Sequence, residues 1–273
     1  MPAKTKDPGP MEITPITIGQ MVFDVIGVSP LIYNSMSVKV RRDLLLPARR
    51  TKVEQRQTLK HDPLSEYRAS TYRTSKGPTA LVVPAPMFKR AISNAAVDVG
   101  GATKAELGRL LWVSGYSIEM FGVPQMMMSV MRDAGLSKAP RIRTRAILPA
   151  WTCSFLIEFV KPNLTETAVA TILSAAGLIC GIGDSRPQRG HGAFGQFRLA
   201  TQEDAALVGA IRESGARAQQ EAALREPQFF DDESEELFTW FNEEVARRGQ
   251  SDMLGGDEEE HEEFGEEMAE AAQ

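Results

Sequence analysis

Charge divides this 273-residue chain into a part that can pack and a part that cannot. Residues 220–273 hold 3 Lys+Arg against 19 Asp+Glu, while residues 1–219 hold 28 against 17. The modest net charge of −5 therefore conceals a body of +11 and an end of −16. The last stretch, 255–273 (GGDEEEHEEFGEEMAEAAQ), has too much like charge and too little apolar content to bury a face, and it is predicted disordered. A basic body with a separate acidic end points to a polyanionic ligand, and to a tail that competes with it or recruits another protein. The body itself has ordinary globular composition, with 42% hydrophobic and 25% charged residues overall. No stretch approaches the roughly 18 apolar residues of a membrane span. Met1–Pro10 carries Lys4, Lys6 and Asp7 with no apolar run behind it, so residues 1–12 read as a flexible N-terminus and not as a secretory signal. Cys153 and Cys180 lie in apolar settings, which excludes a disulfide framework and suits a reducing, cytoplasmic location.

Residues 13–28 alternate around β-branched side chains up to Ser29-Pro30 and predict a strand. Residues 35–79 are polar and basic, broken by Pro47, Pro63, Gly77 and Pro78, and read as a long insertion with little core of its own. Pro86 opens a predicted helix to about Val97, with Phe88, Ala91, Ile92 and Ala95 on one face and Lys89 and Arg90 on the other. Residues 110–122 read as a strand bent at Ser114-Gly115, and 141–160 as one long strand. Asn163 with Glu166 resembles a capping box opening a second helix to about Ala176. Residues 193–200 read as a last strand. The order β-α-β-β-α-β is the split βαβ arrangement of an α+β, ferredoxin-like (RRM-like) sheet, with helices on one face and the other left free to bind. A helical, acidic C-terminal extension follows over 201–254, with Leu237, Trp240, Phe241 and Val245 at helical spacing.

Three segments carry the charge. The insertion from Lys39 to Lys76 holds 11 Lys+Arg and 4 acids. Its candidate contacts are Arg41, Arg42, Arg49, Arg50, Lys52 and Arg56, followed by Lys60, Arg68 and Arg73. Tyr67 and Tyr72 lie among them. Cations neutralise phosphates, and tyrosine rings stack on unpaired bases; a solvated loop is the plainer alternative. Arg141, Arg143 and Arg145 alternate, so on a strand they share one face, expected to be the open face of the sheet. An edge strand guarded by charge is the alternative there. The third segment is the run from Gly181 to Phe197 (GIGDSRPQRGHGAFGQF). Gly181, Gly183, Gly190 and Gly192 let the main chain approach a ligand and offer amide donors, while Arg186 and Arg189 add charge. It follows a helix and precedes a strand, which is not the setting of a dinucleotide fingerprint or a P-loop.

The form G-h-G-x-x-R-x-x-x-G-x-G-x-F, between a helix and a final strand, resembles the RAMP superfamily of CRISPR proteins, and its guide-RNA backbone subunits above all. Val83-Pro84-Ala85-Pro86-Met87-Phe88-Lys89-Arg90 is similar to that family's strand–proline–helix entry, and the basic insertion sits where its thumb-like insertion leaves the first strand. The resemblance covers roughly residues 13–200. It implies the ferredoxin-like fold and a nucleic-acid ligand. The acidic C-terminus departs from it and looks more like the tails of phage and bacterial single-stranded DNA-binding proteins.

Catalytic chemistry has little to draw on. The histidines are His61, His191 and His261. His191 stands in the Gly-rich loop, where it is a candidate phosphate contact or acid–base group; a few RAMP relatives do cleave RNA with a histidine. No spacing suggests a metal or cofactor site. Met126, Met127, Met128 and Met131 read as gap-filling core or a partner surface. The expected function is non-enzymatic binding of single-stranded DNA or RNA, by a homo-oligomer or filament assembled along the strand, with no membrane partner. A CRISPR-type backbone or RNA-processing protein, and a self-associating scaffold, remain as alternatives.

Overall fold

The computed structural model describes residues 15–45, 61–132, 140–189 and 192–248. Its first half runs β1 (Thr17–Gly27), β2 (Leu31–Ile32), α1 (Val38–Leu45), α2 (Pro63–Ala69), β3 (Tyr72–Arg73), β4 (Leu81–Pro84), α3 (Ala85–Val99), α4 (Lys104–Leu110), β5 (Leu111–Val113) and β6 (Ser117–Glu119). Then come β7 (Gln125–Arg132), β8 (Pro140–Leu148), β9 (Thr152–Lys161), α5 (Glu166–Ala175), β10 (Phe197–Leu199), α6 (Ala205–Ser214), α7 (Arg217–Arg225) and α8 (Asp232–Arg247). The result is a mixed α+β structure whose strands pair antiparallel.

Alternation decides the main sheet. Along β1, Phe23 and Val25 turn inward while Ile18 and Val22 turn outward. β1 pairs with β9 from Thr17 opposite Lys161 to Ile26 opposite Thr152. β5 extends β9 and β10 extends β1, giving the order β10-β1-β9-β5. α3 and α5 cover the inward face. Phe88 of α3 stacks at 4.4 Å from Phe155 and 5.3 Å from Phe197, and Val169 and Leu173 of α5 complete this core. The cap of α5 is Thr165, not Asn163: Thr165 has the extended backbone an N-cap needs, and its hydroxyl accepts from Ala168 N at 3.2 Å.

Two expected strands are each divided. Residues 110–122 split at Ser114–Tyr116, with β5 in the main sheet and β6 in a sheet of order β3-β4-β6. Residues 141–160 split at Pro149–Trp151, with β9 in the main sheet and β8 in a third sheet of order β2-β8-β7. Proline offers no ladder donor, and Trp151 turns its ring fully inside, so the chain leaves one sheet there and enters another. Arg141, Arg143 and Arg145 therefore do not lie on the open face of the main sheet. That face carries Ile18 and Val22, each 68% exposed, with Asp24 and Glu158. α6 holds one end of it, where Arg212 Nη2 donates to Asp24 Oδ1 at 2.7 Å and also meets Ser154 Oγ.

The insertion is not without core. Tyr67 is completely buried, and its hydroxyl lies within hydrogen-bond reach of the carbonyls of Pro124 and Ala223. Arg68 donates to Leu224 O at 2.9 Å and Arg225 O at 3.2 Å. The C-terminal helices are equally part of the body. Buried Gln220 on α7 accepts from Ala80 N and Leu81 N and donates to the carbonyls of Met120, Gly122 and Gly215. Residues 228–230 and Ser234 of α8 bond the outer edge of β7, where Met126, Met127 and Met128 are buried. Among the described residues, no helix is long and apolar enough to cross a membrane.

Replacing Gln220 by Leu strands four buried backbone groups, since Gly215 O keeps Gly122 N at 3.3 Å, and each costs about 1–3 kcal/mol when left unpaired, with partial relaxation. Gln220→Leu is expected to lower the unfolding free energy by at least about 3 kcal/mol, read as the midpoint shift in urea at unchanged slope.

Candidate nucleic-acid interface

The Gly-rich run begins where α5 widens into one π turn, Ala176–Cys180, and Gly181 leaves it at φ 64°. Its glycines serve packing. Gly183 (φ 79°) lies so close to β2 that a Cβ would meet Leu31 Cδ1 at 2.5 Å and Ile32 O at 2.6 Å, and one on Gly195 would overlap Ile182 O. Several of the loop's amides are already engaged. Gly181, Ile182, Asp184, Phe194 and Gly195 donate to Ala176 O, Gly195 O, Ile32 O, Ser185 O and Pro30 O. Of the amides expected to cradle phosphate, those of Gly181 and Gly195 are therefore already bonded within the chain, and Gly190 lies outside the described residues. Glycine density signals close approach, and here the approach is of the chain to itself.

What the loop presents is side-chain charge. Arg186 is anchored by Nη1 donating to Gly183 O at 2.7 Å, with Nε 3.3 Å from Gln188 Oε1. Its guanidinium is held below the ordinary value by burial first, then by the cations of Arg189 and Arg90, with Asp184 opposing. Arg189 and Arg90 are exposed. Asp184 is ion-paired with Arg145 of β8, which joins the loop to the third sheet. Arg145 is itself held low by burial, against the field of Asp184, with Arg143 adding repulsion. Tyr72 lies beside it. The Tyr72 ring is 6.4 Å from Tyr33, its hydroxyl donates to Asn34 Oδ1 at 3.4 Å, and burial raises its pKa against the nearby charges of Arg145 and Arg41.

The structure thus links Arg41, Arg143, Arg145, Arg186, Arg189 and Arg90 through shared neighbours into one belt, with half-buried Tyr72 within it. Asp184 is a carboxylate within that belt, and Arg145 already engages it. Like charges so gathered repel one another unless an anion or solvent relieves them. Arg141 is exposed farther out on β8.

Other expected contacts fall elsewhere. Tyr67 cannot stack on a base, because its ring is interior, and Arg68 is committed to carbonyls of α7. Lys89 sits 6.0 Å over the Trp112 ring, and Arg73 is exposed on β3. Gly192 is partly exposed beside the loop, and Arg42 occupies α1. Arg49, Arg50, Lys52, Arg56, Lys60, Gly190, His191, the N-terminal 1–12 and the acidic 255–273 lie outside the described residues. Asp184 was missed by sequence reasoning, although a single acid among the arginines of a tight loop is a usable signal for an ion pair.

No protein-family model matches the chain, and no curated protein does. Solved structures do show similarity. A chain of the Type III-B Cmr-beta complex bound to cognate target RNA matches at TM-score 0.35 and 15% identity, over 67% of this chain and 59% of that one. Cmr6 from Pyrococcus furiosus matches at TM-score 0.36 and 9% identity, over 67% of this chain and 98% of its own. A chain of a CRISPR RNA-guided surveillance complex matches at TM-score 0.28 and 12% identity, over 66% of each. The chain spans less than two thirds of the Cmr-beta chain.

Asp184→Asn leaves Arg145, whose side chain is 13% exposed, without its counter-charge. The substitution is expected to cost about 2 kcal/mol of stability, seen as a lower urea midpoint. A double-mutant cycle with Arg145→Met should recover part of that loss.

Proposed function

We propose that this chain binds single-stranded nucleic acid through the arginine belt, without catalysis of its own, and assembles in several copies along the strand. The observation that carries the reading is the belt: six linked arginines and a half-buried tyrosine, whose internal carboxylate is already paired. A row of guanidinium groups tracks a phosphate backbone, and a tyrosine edge among them favours unpaired bases over a duplex.

The fold supports the reading at one further point. The order β10-β1-β9-β5, with α3 and α5 on one face, is read as the split βαβ sheet of a ferredoxin-like domain. In this proposal the ligand does not lie on the open face of that sheet. Ile18, Val22, Asp24 and Glu158 there provide apolar area and negative charge, which suits a protein surface better than a polyanion. The acidic residues beyond Arg248 compete with the strand for the belt.

The test is fluorescence anisotropy with labelled single-stranded DNA, single-stranded RNA and duplex DNA across a salt series. Single strands are expected to bind tightest, with a slope of log K against log salt of about −0.7 per phosphate neutralised. Arg186→Ala/Arg189→Ala should weaken binding and flatten the slope by about 1.4. No binding to any of the three at low salt, or no effect of the double substitution, would sink the reading. Removal of residues 253–273 is expected to tighten binding at low salt; unchanged affinity would remove competition by the tail from the proposal.

A further inference from the structure

Where β5 ends and β6 begins, the main sheet and the β3-β4-β6 sheet diverge, and an open cleft of about 320 Å³ lies between them. That volume is within the roughly 300–1,000 Å³ of small-molecule pockets. β9 supplies its floor at Ser154–Leu156, and the turn carrying Thr74 and Lys76 supplies one wall. This wall is clamped in place from α7. Arg217 donates from Nε to Gly77 O at 2.9 Å, from Nη1 to Thr74 O at 3.1 Å and from Nη2 to Thr79 O at 2.6 Å. Preorganisation of this kind lowers the ordering cost of binding.

Two of the polar residues lining the cleft stand out. Glu119 is held against Gly77, where the backbone at φ 97° approaches so closely that a Cβ would stand 2.5 Å from Glu119 Oε1. Ser114 Oγ is buried with no hydrogen-bond partner. A buried hydroxyl left unpaired is unfavourable, and a ligand atom can satisfy it. Beside the cleft, between Ser114 and Ser117, Tyr116 is 97% exposed, and Lys76 is exposed on the wall.

We propose that this cleft receives a nucleobase bearing an exocyclic amino group, taken from the single strand; the proposal rests on the function proposed above. Glu119, as a carboxylate, only accepts hydrogen bonds. The amino group of adenine, cytosine or guanine donates to it, whereas uracil and thymine bring a carbonyl oxygen to that place and are repelled. The Ser114 hydroxyl rotates to donate to, or accept from, the neighbouring ring nitrogen. Tyr116 offers a face for stacking, and Lys76 a charge for the adjoining phosphate.

The experiment compares short labelled homopolymers of A, C and U on the native chain, Glu119→Gln and Tyr116→Ala. A and C are expected to bind about tenfold tighter than U, with Glu119→Gln levelling the three. Tyr116→Ala should weaken A, C and U alike by about tenfold without changing the salt slope. Equal native affinity for A, C and U, or a preference that survives Glu119→Gln, overturns the proposal. Saturation-transfer NMR with free AMP and UMP reads the cleft without a strand. Transfer to AMP alone, lost in Glu119→Gln, supports the cleft even if no homopolymer binds, in which case only the strand-binding reading fails. No transfer, or equal transfer to both, overturns it.

Discussion

Between Leu148 and Thr152 the chain passes from one sheet to another, and the indole of Trp151 fixes the corner. The ring is fully buried, Nε1 donates to Ser29 O at 2.9 Å, and the residue's own carbonyl accepts from Gly27 N at 2.9 Å. It fills the space where a side chain on Gly27 would stand and meets Phe197 edge-on at 6.4 Å. One residue later, Thr152 bridges Phe121 beyond β6. The ends of β1 and β8 and the starts of β9 and β10 therefore meet at one side chain, with the β3-β4-β6 sheet joined one residue on. A smaller residue there would leave a large void and an unpaired carbonyl, and the three sheets would lose their common reference.

The corner also explains the belt. Had residues 141–160 formed one strand, alternation would have put the odd-numbered arginines on the inward face with Cys153 and Phe155, under the helices. Because the strand is broken, β8 swings into the sheet with β2, and β2 is the strand on which Gly183 lies. Arg145 then reaches Asp184, and the charges of two distant sequence segments become neighbours. The loop uses the amides of Gly181, Ile182, Asp184, Phe194 and Gly195, and the close approach of Gly183 and Gly195, to hold that position. Its arginines, with Arg186 anchored on Gly183 O, are what it turns toward a ligand.

Local pattern was enough for β1, α3 and α5, since each has a regular apolar period and a turn or cap at its end. The mixed α+β class followed from those periods. Sheet membership did not follow, because β5 with β6, and β8 with β9, each read as one strand whose partners lie far along the chain. Tyr67 is the same lesson in one residue. A tyrosine in a basic segment looks like a stacking ring until the carbonyls of Pro124 and Ala223 close over its hydroxyl. Of the candidate site, the arginines were legible by charge and spacing. The role of the glycines was not, because a glycine reports that something comes close without saying what.

The acidic end, finally, is two things. Residues 220–248 carry nine acids and three arginines, and residues 249–273 carry ten acids with no lysine or arginine. The first group is built into the fold. Segment 228–230 and Ser234 close the edge of β7, which would otherwise offer unpaired backbone to another chain, and Arg247 and Arg248 hold Glu244 down at about 2. Those acids cannot leave α8 without opening that edge. In the proposed function, competition for the belt therefore falls to the ten acids beyond Arg248. Against a cluster of six arginines they supply ample opposite charge, and because Coulombic attraction between exposed groups fades with salt, competition of this kind is strongest where strand binding is strongest. On the proposed function, tail and strand would then respond to salt in the same direction, the tail moderating affinity at low salt and losing influence as binding itself weakens.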